Sequence, residues 1–223
     1  TPPGEVETLA EALDRIPSEG LRIRLHGPGP YFLPPHPIRS EGPLQIEGEP
    51  NGGTVVLFPH SVSSRQSMIP GETDSRATLL SLRAPQVTFR NLHLAEDSGE
   101  ARLGTDGVLL TVTGPELILD RVSLISVGRT SEPITAIAHR NPGGPARLFL
   151  NQVFLRGERM QPVSIDAAYP DVVAYQSAIV SRNRPLFDLR VGLPPLEGLV
   201  EPKTDTGEDL PTISVQGCRL SCF

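Results

Sequence analysis

Asp166 and Asp188 lie in two short apolar runs, PVSID at 162 and PLFDL at 185, and Arg190 directly follows the second. Two carboxylates held about 6.5–9.5 Å apart across a glycosidic bond can act as the general acid and general base of an inverting glycosidase. A neighbouring guanidinium can clamp an acidic sugar through paired hydrogen bonds. The three residues are therefore the candidate acid, base and substrate clamp. Their geometry depends on strand register. If Ile165 and Leu189 align, the carboxylates lie diagonally across neighbouring strands, roughly 7–8 Å apart. The competing reading is of carboxylates that simply face water at a strand edge.

Other side chains suggest binding more than reaction. Of the 20 Lys+Arg residues, all but Lys203 are arginine. Arg129, Arg156, Arg159, Arg182 and Arg184 follow successive repeats described below, so stacking would align them into a ridge able to grip acidic sugars or an acidic partner. Edge charges that discourage unwanted sheet pairing are the alternative. His26, His36, His60, His93 and His139 show no short metal spacing, and no Gly-x-Ser-x-Gly elbow accompanies the serines. No metal site and no cofactor is expected. The acids of EPKTDTGED at 201–209 could bind calcium, but their spacing matches no ligand loop and a solvated charge run explains them as well. With no Trp and only Tyr31, Tyr169 and Tyr175 as polar-tipped aromatics, there is little material for platforms on which sugars stack. Cys218 and Cys222 are too few for a disulfide framework, and Cys218 falls at an apolar place of a strand pattern.

The elements that must position these residues are mostly strands. A net charge of -6 argues against nucleic acid and anionic membrane as partners. No apolar run reaches the roughly 18 residues that a membrane helix requires. The chain opens on Thr1-Pro2-Pro3-Gly4, as expected of a processed form or a piece of a longer protein, and no cellular address is legible apart from a possible extracytoplasmic one. Helical periodicity is confined to VETLAEALDRI at 6–16, stopped by Pro17 with Gly20 just beyond. LRIRL at 21–25 then alternates, and 24 Pro and 21 Gly leave no room for a second long helix.

An internal repeat organises the rest. VTFRNLHL (87–94), LILDRVSL (117–124), LFLNQVFL (148–155), VVAYQSAI (172–179) and ISVQGCRL (213–220) carry small or apolar residues at places one, three, six and eight. Each follows a second apolar run: LLSL, VLLTV, ITAIA, PVSID or PLFDL. The skipped beat reads as two short strands meeting at a sharp corner, with polar residues at places four and five where the backbone leaves its ladder. Stacked at about 4.8 Å per rung, such units form one continuous apolar interior.

These octets, with their preceding runs, resemble the right-handed parallel β-helix of the pectin-lyase-like superfamily, across most of 77–220. The resemblance implies an all-β solenoid forming a single domain over 1–223, with 6–16 as a capping helix and the first coils in 20–60. Loops would leave at 61–76, 95–107, 139–147 and 191–211. The rival is a β-sandwich, which calls for hairpin turns, and Asn51-Gly52 is the lone candidate. A pectinase-type hydrolase of this superfamily would carry stacked aspartates and a Gly-His-Gly run; both are missing. Two functions are therefore expected. The first is a non-catalytic, rigid module that contacts other domains or subunits in a larger bacterial protein or assembly. The second is a polysaccharide lyase or glycoside hydrolase acting on acidic glycans. The final octet ends at Leu220 with no polar cap after it, so Phe223 or a further segment is expected to cover that end.

Overall fold

The structure, a computed structural model, describes residues 7–34, 36–50, 53–58, 78–96, 107–126, 134–157, 160–182, 184–191 and 212–222. The chain begins with α1 (Leu9–Asp14), β1 (Leu21–Arg24), β2 (Tyr31–Phe32), β3 (Ile38–Arg39), β4 (Leu44–Glu47) and β5 (Val55–Phe58). Next come β6 (Thr78–Arg83), β7 (Gln86–Glu96), β8 (Val108–Thr113), β9 (Glu116–Ser126), β10 (Ile134–Asn151) and β11 (Phe154–Gly157). The last strands are β12 (Met160–Tyr175), β13 (Ala178–Ser181), β14 (Phe187–Val191), β15 (Thr212–Gln216) and β16 (Arg219–Cys222).

These strands form one 16-stranded sheet, curled through 270° into a half-barrel. Among the described residues every strand pairing is parallel, which excludes an antiparallel sandwich. The pairings fall into three ladders. Ladder A runs β1, β4, β7, β9, β10, β12, β15. Ladder B runs β2, β5, β7, β9, β11, β13, β16. Ladder C runs β3, β6, β8, β10, β12, β14. The long strands β7 and β9 serve ladder A with their first half and ladder B with their second, and β10 and β12 likewise serve C and then A.

The octets align as their pattern requires. Their third places form the column Phe89, Leu119, Leu150, Ala174, Val215, which Ile46 and Ile23 extend toward the first strand. From Ile46 to Ala174 these side chains are no more than 1% exposed. Each large apolar side chain so removed from water contributes about 1.5–3 kcal/mol. The corner has a backbone cause: Asn91, Arg121, Gln152 and Gln176, all at place five, have φ of 55, 55, 52 and 45°, and Gly217 has 61°. One left-handed residue turns the chain and restores the inward phase, so places six and eight point into the core again. Leu92, Leu94, Val122 and Leu124 are accordingly buried.

Ladder C is buried on both faces. In β8, Leu110 and Val112 form one face while Leu109 and Thr111 form the other, and none exceeds 2% exposure. That is why the preceding runs read as unbroken apolar stretches instead of alternating ones.

The α1 helix is shorter than the 6–16 expected. Thr8 is its N-cap, accepting from the Glu11 amide at 3.1 Å, and Leu9, Ala12 and Leu13 are its buried face. The loop expected at 139–147 is instead continuous with β10, whose pairing to β12 shifts register between Asn141 and Pro145. Local extended backbone absorbed two prolines and two glycines that read as a loop. Ala95 and Glu96 end β7; residues 97–106, like 61–76 and 192–211, lie outside the described residues.

Candidate functional site

Ile165 does pair with Leu189, so Asp166 sits opposite Arg190 and Asp188 opposite Ser164 on ladder C. The two carboxylates are thus diagonal neighbours, roughly 7–8 Å apart by strand geometry. Their chemistry is constrained by arginine. Asp188 Oδ2 accepts from Arg190 Nε at 3.1 Å and lies 3.0 Å from its second terminal nitrogen. Half-buried Asp166 stands between Arg140 on one side and Arg190 on the other. An oxygen already held by a guanidinium is poorly placed to receive or donate a substrate proton. The three residues are together: Asp188 is ion-paired with Arg190, and Asp166 has Arg140 and Arg190 as its register neighbours.

They belong to a longer column that the sequence analysis missed. Along the outer margin of ladder C the register stacks Arg39, Arg83, Thr113, Arg140, Asp166 and Arg190. Arg39, Arg83 and Arg190 are exposed and Arg140 is half-buried. The signal was legible in the dipeptides Ile38-Arg39, Leu82-Arg83, His139-Arg140 and Leu189-Arg190, which close the apolar runs. Comparing the final polar place of each run would have found it.

The ridge expected after the octets does not form from the described residues. Arg156 is exposed and stacks between Ile125 and Val180, whereas Arg182 lies two residues beyond Val180 and so in a different position along the ladder. Arg184 is also exposed, beyond β13. Arg129 and Arg159 fall outside the described residues.

The fourth places of the octets form a second outer column: Arg24, Glu47, Arg90, Asp120, Asn151, Tyr175 and Gln216. Arg90 Nε donates to Asp120 at 2.8 Å, and Asn151 donates to the other Asp120 oxygen at 2.8 Å. Arg22 donates to Glu47 at 2.7 Å. That hydrogen bond, with the charges of Arg22, Arg90 and Arg24, holds the Glu47 carboxyl below the usual carboxylate range against the opposing effect of burial. These acids tie rungs together.

Two histidines acquire definite surroundings. His93 faces outward on ladder B with Nδ1 2.7 Å from Ser123 Oγ. Among the described residues no carboxylate orients this Ser–His pair, so it lacks the third member of a hydrolytic triad. His139 points inward, in the ladder C column between Val112 and Ile165, and is fully buried. Its Nε2 donates to the Gly114 carbonyl at 2.8 Å, while Nδ1 has no hydrogen-bond partner among the described residues. Burial pushes the imidazole down to about 4, with the Gly114 bond acting in the opposite sense.

Cys218 is a free thiol, half-buried against the core. Tyr169 and Tyr175 are exposed on β12. Among the described residues no group of three or more His, Cys, Asp or Glu could hold a metal ion, and no helix is long and apolar enough to cross a membrane. The chain matches no family model, no curated protein and no solved structure.

Proposed function

We propose that this chain is a right-handed parallel β-helix of pectin-lyase-like type, acting as a non-catalytic, rigid interaction module whose last rung, β14 to β16, docks another protein domain or subunit. One observation carries the reading. Ile213, Val215 and Leu220 continue the inward columns of Val172, Ala174 and Ile179, yet they are 45%, 47% and 39% exposed while those three do not exceed 1%. Among the described residues the strands β14, β15 and β16 each pair on one side only. An apolar stack ending in open strand edges is a template for further pairing. The arginine-bound state of Asp188 supports the non-catalytic half of the reading.

The test has two arms. The whole chain is incubated with acidic and neutral polysaccharides, and new reducing ends and unsaturated products are measured; no cleavage is expected. Cleavage that Asp166→Asn or Asp188→Asn removes overturns the reading. A photo-crosslinking residue replacing Val215 should yield adducts with one protein species, and Leu220→Asp should abolish them. Adducts no more selective than those from exposed Arg22 also overturn it.

A second reading is favoured by the column Arg39, Arg83, Arg140, Arg190: binding, without cleavage, of a linear acidic glycan along ladder C. Its probe is polygalacturonate. Binding should weaken steeply with salt and fall about tenfold or more in an Arg83→Ala, Arg140→Ala double variant.

A further inference from the structure

At the other end of the molecule, we infer that the free edge of β1 receives an extended acidic peptide segment of a partner protein as an added strand. Among the described residues β1 pairs only with β4. The Leu21 amide donates to Pro43 O at 2.9 Å and the Leu25 amide to Glu47 O at 2.8 Å. Alternate residues of a parallel strand turn their backbone groups to opposite sides. The N–H and C=O groups of Arg22 and Arg24 therefore face away from β4.

A cavity of about 910 Å³ lies between this edge and α1, lined by Leu9, Ala12, Ile23, Leu25, Tyr31 and Arg24 among others. Ligand cavities typically span about 300–1,000 Å³. Open backbone donors and acceptors spaced along a strand match a peptide backbone, the arrangement by which extended segments join sheet edges.

Charge selects the side chain. Down the fourth-place column the sign alternates from Asp120 to Arg90 to Glu47 to Arg24. Arg22 is committed to Glu47, and among the described residues Arg24 has no carboxylate within ion-pair distance. A strand that continued the ladder would set its own acid beside Arg24, repeating the step from Arg90 to Asp120.

The probes are three labelled heptapeptides, Thr-Thr-Val-Glu-Val-Thr-Thr, the same with a central Lys, and the Glu peptide with both valines, whose amides would donate to the Arg22 and Arg24 carbonyls, replaced by Pro. Binding to the whole chain is read by fluorescence anisotropy. The Glu peptide should bind at least about tenfold more tightly than the Lys peptide, since like charges in contact are strongly disfavoured. The Pro peptide, unable to extend the ladder, should not bind. Arg24→Glu should invert the Glu/Lys order and Arg24→Gln, which removes the charge without placing a carboxylate opposite Glu47, should erase it, with both variants folded by circular dichroism. The proposal is overturned by absence of binding, by equal affinity for Glu and Lys, or by retained binding of the Pro peptide. Binding that appears only after deletion of residues 1–6 would assign the edge to that segment. Self-association lost in Arg24→Glu would assign it to a second copy. Either result also overturns the proposal.

Discussion

A single backbone conformation repeated at place five of each octet shapes the chain. Non-glycine residues in the left-handed region cost of order 1–3 kcal/mol, and β-branched ones suffer most because Cβ crowds the backbone. Gln152, at φ 52°, is exposed at its corner and its amide donates to Gln176 at 3.1 Å. Gln152→Val should lower unfolding free energy in urea by about 1–3 kcal/mol, whereas Gln152→Asn should stay within about 1 kcal/mol of the parent. His139 offers a second residue-level prediction. Its imidazole is held near 4 when folded against an ordinary 6.5, so the unfolded chain takes up the proton first. Its contribution is complete above about pH 6.5 and declines as pH falls toward 4, at up to about 1.4 kcal/mol per unit and about 3 kcal/mol in all. His139→Leu, which suits a column with Val112 and Ile165, should remove that slope. Denaturation series between the two pH limits would show an unchanged slope if burial of the imidazole is not its cause.

At the level of strands, what could be read from the sequence was the inward set. The four-place pattern of VTFRNLHL predicted the column through Phe89 because burial on one face demands apolar side chains at fixed phase. The double-sided burial of ladder C was visible only as runs without alternation, and the outer column of Arg83, Arg140 and Arg190 was passed over because register converts scattered residues into neighbours. The pair Asp166 and Asp188 was placed correctly on adjacent strands. What the sequence could not convey is that Arg190 binds Asp188 along its own strand. β10 was misjudged because Pro142-Gly143-Gly144-Pro145 has the composition of a loop, while the strands flanking it hold that segment in line. Substitutions should follow depth in the ladders. Leu150→Ala, in a fully buried column, should cost about 2–5 kcal/mol, and Leu220→Ala, on the exposed last rung, under about 1 kcal/mol by chemical denaturation. Gly114→Ala should be worse than its size suggests, because a Cβ there would lie 1.9 Å from the Ala84 carbonyl oxygen at a φ of +150°. Loss of soluble folded protein is the expected outcome, and a normally folded Ala variant would contradict the packing of that turn.

Across the ladders of the described residues each strand pairs only with the ones before and after it, so stability is expected to accumulate as nearest-neighbour increments, with local opening cheapest where a strand has one neighbour instead of two. Amides of β14 to β16 should exchange with solvent faster than those of β7 and β9, in hydrogen exchange read by mass spectrometry. A bound partner on the last rung should slow that exchange selectively, and uniform protection along the ladders would contradict the stacked description. The left-handed corner also confines where this polypeptide can change. One residue added at that left-handed position would reverse the facing of the half-strand after it, so inside an octet the corner keeps its length; on the first two rungs the strands part there and longer segments already intervene, 25–30 between β1 and β2 and 48–54 between β4 and β5. Outer attachments of any length can therefore hang wherever one strand ends before the next begins, while the chassis beneath keeps its dimensions.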